Sequence, residues 1–356
     1  MQHQTDEPTM SAKQEIETAE LVSSPSNGEA NRPAIVAENL TKTYSAGVVF
    51  RKKHQALKGL SFTVNQGEVF GLLGPNGAGK TTFIKVLLGI IKKSGGNASM
   101  LGHPAGSKRG RQAVGYLPER LRIPPHLSAY GALVYFGNLS NLPSNTVRAR
   151  RDEYLELVGL KGRERDLVKK FSKGMVQRLG LAQAMLHEPK MIILDEPTDG
   201  LDPRARAEMR AIISSLAERG VTIFFNSHLL QEVEMICQRV AILDKGVLRY
   251  CGSVSEIGQF LSTGAAGPAH KVRFELSGDA NSCKAAFTGL KPKQVSQNGP
   301  LVTIEADLQS LSEIDRIVDE LRAKDVSITG IQSQRVSLED AFLQLTEIAA
   351  ETNSGN

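Results

Sequence analysis

Residues 68–81 read EVFGLLGPNGAGKT, and the fold turns on them. Gly74-Pro-Asn-Gly-Ala-Gly79-Lys80-Thr81 matches G-x-x-x-x-G-K-[ST]; an apolar run precedes it, and Phe83, Val86, Leu87, Ile90 and Ile91 follow at helical spacing. Strand, glycine-rich turn and helix in that order form a phosphate-binding loop. Glycines let the backbone curl until its N–H groups and the helix N-terminus face phosphate oxygens. Lys80 adds a charge for the β and γ phosphates, and the Thr81 hydroxyl suits Mg²⁺. Alone, the loop says only that a nucleotide phosphate binds.

A second element lies 115 residues beyond Lys80, where Met191-Ile-Ile-Leu-Asp195-Glu196 reads as a buried strand ending in two carboxylates. Asp195 at the strand end is placed to serve a Mg²⁺ shell, and Glu196 to face the γ phosphate and orient or deprotonate water. No Asn-Lys dipeptide occurs, which excludes the base-reading N-K-x-D element of GTPases.

Outward from these elements, the short runs AIVAENL, LSFTVN, EVFGLLG, MIILD, VTIFFN and RVAILD alternate with helical segments between residues 34 and 261. This is the pattern of an α/β fold with a largely parallel sheet. Residues 1–33 hold six acidic side chains against Lys13 and Arg32 and have no aromatic, so they read as a disordered tail. Residues 262–270, STGAAGPAH, read as a linker. Residues 271–348 then give the order β-α-β-β-α-β of a ferredoxin-like α+β domain, with a terminal helix carrying Leu338, Phe342 and Leu345, and residues 349–356 form a second disordered tail. In the second helix of that domain Ile314, Ile317, Val318 and Leu321 make one apolar stripe.

Composition narrows the function classes. The chain of 356 residues is 40% hydrophobic, enough for a substantial core. No apolar run approaches the roughly 18–20 residues that cross a bilayer. The start, MQHQTDEPTM, has no apolar region of a secretory signal. Cys237, Cys251 and Cys283 form no C-x-x-C pair, which excludes a disulfide framework and a cysteine zinc site and suits a reducing cytoplasm. Net charge is +5 overall, and the acidic tail leaves the remainder more basic.

Between the loop and the paired carboxylates stands Phe171-Ser-Lys-Gly-Met175, opening a helix with Met175, Leu179, Ala182 and Leu186 on one side. With this element the sequence resembles the ABC ATPase family, whose signature in its commonest form is L-S-G-G-Q. Further matches follow the family's order: Tyr44 as the adenine-stacking aromatic, Gly200-Leu201-Asp202 as the D-loop, and His228 as the switch histidine. The resemblance implies a P-loop ABC-type core over residues 34–261, with a helical subdomain over about 120–185. It implies ATP and Mg²⁺ as ligands, held by Tyr44, Gly74, Pro75, Asn76, Gly77, Ala78, Gly79, Lys80, Thr81, Thr82, Glu119, Ser172, Gly174 and Asp202. Thr81, Asp195 and Glu119 stand toward the metal, and Glu196, His228 and Lys80 toward the chemistry.

Two departures matter. The family usually has glutamine where this chain has Glu119, which adds a negative charge near Asp195, Glu196 and the triphosphate. Lys173 and Met175 replace the usual glycine and glutamine of the signature. The basic segment 129–170 is the part that meets a membrane partner in the family, while the plainer reading is a solvated face with pairs such as Arg148 with Asp152. The expected function is that of an ATP-hydrolysing subunit powering transport, of the export class, through a separate permease. Two ATP molecules would be sandwiched in a head-to-tail homodimer or heterodimer, cytoplasmic and peripheral on the inner face of the membrane. A DNA- or ribosome-directed ATPase is the rival class; such proteins carry paired cores, coiled-coil insertions or zinc modules not found here, and no nucleic-acid partner is expected. A ligand-sensing role for the C-terminal domain is a second rival, compatible with the first.

Overall fold

The structure is a computed structural model and describes residues 32–46, 52–257, 270–287, 294–299, 301–308, 310, 312–335, 338–339 and 341–343. The expected tails apart from Arg32 and Pro33, most of the expected linker, and Leu345 lie outside these residues.

Two long antiparallel strands come first, β1 (Pro33–Ala46) and β2 (Lys52–Asn65). In β2 the buried Leu60, Phe62 and Val64 alternate with exposed Ser61 and Thr63, the period of a sheet with one wet face. In β3 (Val69–Leu73), by contrast, all five residues are buried, as a strand covered on both faces requires. The loop and helix α1 (Lys80–Leu87) follow. Strands β4 (Gly95–Met100) and β5 (His103–Pro104) extend the first sheet to the order β2-β1-β4-β5. Thus AIVAENL and LSFTVN belong to a separate antiparallel sheet, because their apolar residues serve one face only.

After α2 (Lys108–Gln112) and β6 (Val114–Leu117) come the helices α3 (Ala129–Leu139), α4 (Ser144–Leu157) and α5 (Lys173–Met185). The chain then alternates β7 (Met191–Asp195), α6 (Pro203–Glu218), β8 (Thr222–Asn226), α7 (Leu230–Ile236), β9 (Arg239–Asp244) and β10 (Val247–Ser253). The central sheet has the order β10-β9-β3-β8-β7-β6, with every neighbour parallel except the β9–β10 pair. Alternate residues of its strands feed two cores. Leu73, Ile192, Leu194 and Phe225 pack with the helices α3 to α6, while Phe70, Ile193 and Phe224 meet Phe83 and the first sheet's Phe62. Four of these rings form a chain of contacts at centroid distances of 5.0–5.9 Å.

Two local expectations are corrected. Helix α1 ends at Leu87 because Gly89 takes φ +70°, a left-handed conformation that stops the helix, and Ile90 is left 59% exposed instead of continuing the apolar stripe. Asp152 faces Tyr130 and Arg151 rather than Arg148; the Tyr130 hydroxyl donates to it, and the Arg151 guanidinium sits 3.9 Å from the Tyr130 ring centroid.

The C-terminal part contains β11 (His270–Ser277), α8 (Ala280–Ala285), β12 (Gln294–Asn298), β13 (Leu301–Leu308), α9 (Ser312–Ala323) and β14 (Ser327–Arg335). Its antiparallel sheet has the order β12-β13-β11-β14, the ferredoxin-like arrangement, and Phe274, Ile304, Ile317 and Leu321 form its core. Residues 338–339 and 341–343 are helical. Leu338 and Ala341 are buried in the core shared by the central sheet and α3 to α6, not in that of the C-terminal sheet.

Candidate active site

The parallel strands of the central sheet end together, and the candidate residues leave from those ends, where open α/β sheets bind ligands. The loop after β3 turns into α1 through Gly79 at φ +106°; a Cβ there would lie 2.6 Å from the carbonyl oxygen of Ala56, so only glycine fits. Lys80 is 6% exposed, and its ammonium donates to the carbonyl oxygen of Gly74 at 2.6 Å. Burial holds this ammonium below the ordinary lysine value, against the pull of Glu196, Asp195 and Glu119.

A cleft of about 500 Å³ opens over the loop. It is lined by Pro75, Asn76, Gly77, Ala78, Gly79, Lys80, Thr81 and Thr82, and from other elements by Tyr44, His54, Ala56, Glu119, Glu196, Asp199 and His228. Tyr44 on β1 is exposed, its hydroxyl 3.5 Å from the Thr82 hydroxyl, with the Lys42 ammonium 5.0 Å from its ring centroid. An exposed aromatic face beside a phosphate loop can stack on a base.

Asp195 ends β7 and is 2% exposed. The strands on either side each bring it a donor. Asn226 Nδ2, in register with it on β8, donates to Oδ1 at 2.5 Å, and the Tyr116 hydroxyl from β6 lies 3.5 Å from Oδ2. Burial raises the Asp195 carboxyl above its usual value, Glu119 adds to this, and the Asn226 hydrogen bond opposes it. Burial and the neighbouring carboxylates likewise raise the Tyr116 phenol.

Glu196 takes φ +52°, unusual for a residue with a side chain, and its N–H donates to the Asn226 carbonyl oxygen at 2.9 Å. The turn brings its carboxylate to His228. The His228 N–H donates to Glu196 Oε2 at 3.2 Å, and His228 Nδ1 lies 2.7 Å from the same oxygen. Burial raises the Glu196 carboxyl, and His228 pulls the other way. A carboxylate held at the mouth of a phosphate cleft, with a raised affinity for protons, has the chemistry to orient water and accept a proton from it.

Ser172, Gly174 and Asp202 are not brought into this cleft. Ser172 caps α5, accepting from the Met175 N–H at 3.3 Å, and Asp202 caps α6, accepting from the Ala205 N–H at 2.9 Å. Lys173 makes the link between the two regions: its ammonium lies 3.5 Å from Asp199 Oδ2, and Asp199 lines the cleft. Sequence reasoning missed Asn226, Tyr116, His54 and Asp199. Asn226 and Tyr116 are each a polar residue near the end of an apolar strand run, a signal that marks the strand end but not the partner Asp195.

Comparison with known proteins adds to this geometry. A family model described as "ABC transporter" matches residues 57–199. An uncharacterized ABC transporter ATP-binding protein of Synechocystis sp. is 39% identical, over 94% of this chain and 92% of that protein. A linearmycin resistance ATP-binding protein of Bacillus subtilis is 31% identical, over 87% of this chain and 97% of that protein. A solved ATP-binding subunit of an ABC transporter superposes with a TM-score of 0.57 at 27% identity, covering 65% of this chain and 95% of its own.

Proposed function

The chain belongs to the ABC transporter ATP-binding proteins, and on that premise we propose how its cleft handles MgATP and what the hydrolysis drives. It is an ATP-binding ATPase of the P-loop ABC fold. The observation that carries the reading of the site is the Glu196–His228 pair, 2.7 Å apart at the rim of the cleft over Lys80.

ATP lies with its adenine on Tyr44 and its phosphates in the loop Gly74–Thr82, where the backbone amides and Lys80 neutralise their charge. Lys80, now donating to the Gly74 carbonyl, exchanges that partner for the β and γ phosphates. The donor set suits Mg²⁺: a hydroxyl on Thr81 and carboxylates on Asp195 and Glu119 are hard oxygen ligands. When bound, Mg²⁺ screens the phosphate charge. Glu196 orients the attacking water and takes its proton, while His228 fixes the Glu196 carboxylate and reaches toward the γ phosphate.

Ser172 and Gly174 lie outside the cleft of their own chain, which supports a head-to-tail dimer in which each covers the ATP of a second copy or of a paralogue, with the Asp202 loop at the same junction. Glu119 and the helical segment 120–185 would pass closure to a separate transmembrane permease. No helix among the described residues is long and apolar enough to cross a membrane; membership of the ABC transporter ATP-binding proteins supports a peripheral position on the cytoplasmic face, beside the permease. The name of the B. subtilis relative, a resistance protein, favours outward transport. Co-purification with a permease from solubilised membranes, followed by phosphate release in proteoliposomes, tests this reading. A chain that hydrolyses ATP yet captures no membrane protein would sink the transport half.

A further inference from the structure

Asn226 stands between the two carboxylates and the histidine of the site, yet no motif assigns it a role. Its side-chain Nδ2 donates to Asp195 Oδ1 at 2.5 Å, and its main-chain oxygen accepts from the Glu196 N–H at 2.9 Å. Two residues on, His228 meets Glu196 through both its N–H and its ring. One residue thus positions the buried Asp195 carboxylate and pins the left-handed turn at Glu196.

The other end of the amide is the informative one. Asn226 is 1% exposed, and its Oδ1 is buried without a hydrogen-bond partner. Rotating the amide would not relieve this, because Oδ1 would then face the Asp195 carboxylate, acceptor against acceptor. The orientation is therefore dictated by Asp195, and the site is left with an acceptor that bulk solvent does not reach. Buried polar atoms without partners are rare, and each costs stability. Here the unpartnered Oδ1 is the cost of turning Nδ2 toward Asp195, which makes holding that carboxylate the task of the amide.

We propose that Asn226 is a positioning residue for the Mg²⁺ site: Nδ2 fixes the Asp195 carboxylate, and the main-chain oxygen holds the turn at Glu196 beside it. The inference rests on the MgATP reading above. Outer partners of this kind set metal affinity, and their loss costs roughly 10- to 100-fold.

The test titrates MgCl₂ into full-length protein holding a fluorescent ATP analogue, with affinity measured in EDTA and in Mg²⁺. Asn226→Ala is expected to keep its EDTA affinity within about twofold and to need roughly tenfold more Mg²⁺ for half-maximal tightening. Asn226→Leu keeps the branched shape of the side chain without its polar atoms and leaves no cavity, so it serves as the second variant if the alanine protein is unstable; the same shift is expected. A Mg²⁺ midpoint within twofold of wild type in either folded variant overturns the proposal. So does an equal loss of affinity in EDTA, which would make Asn226 a packing residue of the loop. Wild-type protein whose nucleotide affinity ignores Mg²⁺ would instead sink the MgATP reading itself.

Discussion

His228 presents both its main-chain N–H and its ring Nδ1 to one oxygen of Glu196, at 3.2 and 2.7 Å, while Glu196 holds a left-handed backbone that points its carboxylate into the cleft. Two contacts to a single oxygen fix the direction of the carboxylate and leave its other oxygen for water.

Glu196→Gln keeps the shape of the side chain and removes the proton acceptor. Turnover is expected to fall by roughly 100-fold or more, the scale of losing a general base. Binding should survive, since Lys80, Thr81 and the loop amides remain, and one less negative charge faces the triphosphate. The variant should accumulate as an ATP-bound dimer on size-exclusion chromatography with MgATP. Near wild-type phosphate release would move the base role to another residue such as Glu119 or His228.

The pH dependence follows from the direction of the Glu196 shift. Burial raises its carboxyl above the usual glutamate value, and a base must be deprotonated to work. Activity should therefore fall on acidification at a higher pH than an ordinary glutamate would give. His228 works against the rise, so His228→Ala should move the acid limb of kcat to higher pH as well as lower its plateau. An acid limb at the same pH in wild type and variant would show that Glu196 does not titrate in the rate-determining step.

How much of this was legible beforehand depends on whether the signal was covalent or spatial. The loop around Lys80 and the pair Asp195–Glu196 are contiguous stretches whose chemistry is written in their order, and they were read. Asn226 and Tyr116 were not, because they reach Asp195 through the lateral register of β8 and β6, which no local pattern encodes. The alternation of Leu60, Phe62 and Val64 was in the sequence, but its meaning depended on which sheet the strand joined. The same holds for Leu338. Its helical spacing was plain, whereas the core it enters was not.

Asp195→Asn should separate stability from function. Burial raises the Asp195 carboxyl in the folded state above its unfolded value, so ionising it costs folding free energy. That cost is absent below the unfolded-state pKa, grows as the pH climbs, and is complete above the raised folded-state pKa. At neutral pH the nucleotide-free variant should melt above wild type, and the gap should close as the pH falls through the carboxylate range. Added MgATP should stabilise wild type more than the variant, which keeps the loop amides and Lys80 for the phosphates but loses a carboxylate for the cation. A lower melting point for the variant at pH 7 would show that the ionised carboxylate contributes more through Asn226 and Lys80 than burial costs it.

Leu338 tests whether the C-terminal segment is part of the ATPase body. It is 1% exposed and Ala341 fully buried, both within the core formed by the central sheet and helices α3 to α6, with Phe342 packed against them. Truncation before residue 271 would strip these side chains from a core that has closed around them. Leu338→Ala should therefore cost about 2–4 kcal/mol, the range for emptying a buried leucine site, and lower the melting temperature of the nucleotide site along with the rest. Met235→Ala, at a residue 67% exposed on α7, should change stability by no more than about 0.5 kcal/mol. Nucleotide affinity at low temperature should stay within about twofold in both variants, because neither residue touches the cleft. Calorimetry with and without ATP checks this: if Leu338→Ala left the nucleotide-stabilised transition in place and shifted only a separate one, the segment would belong energetically to the C-terminal sheet.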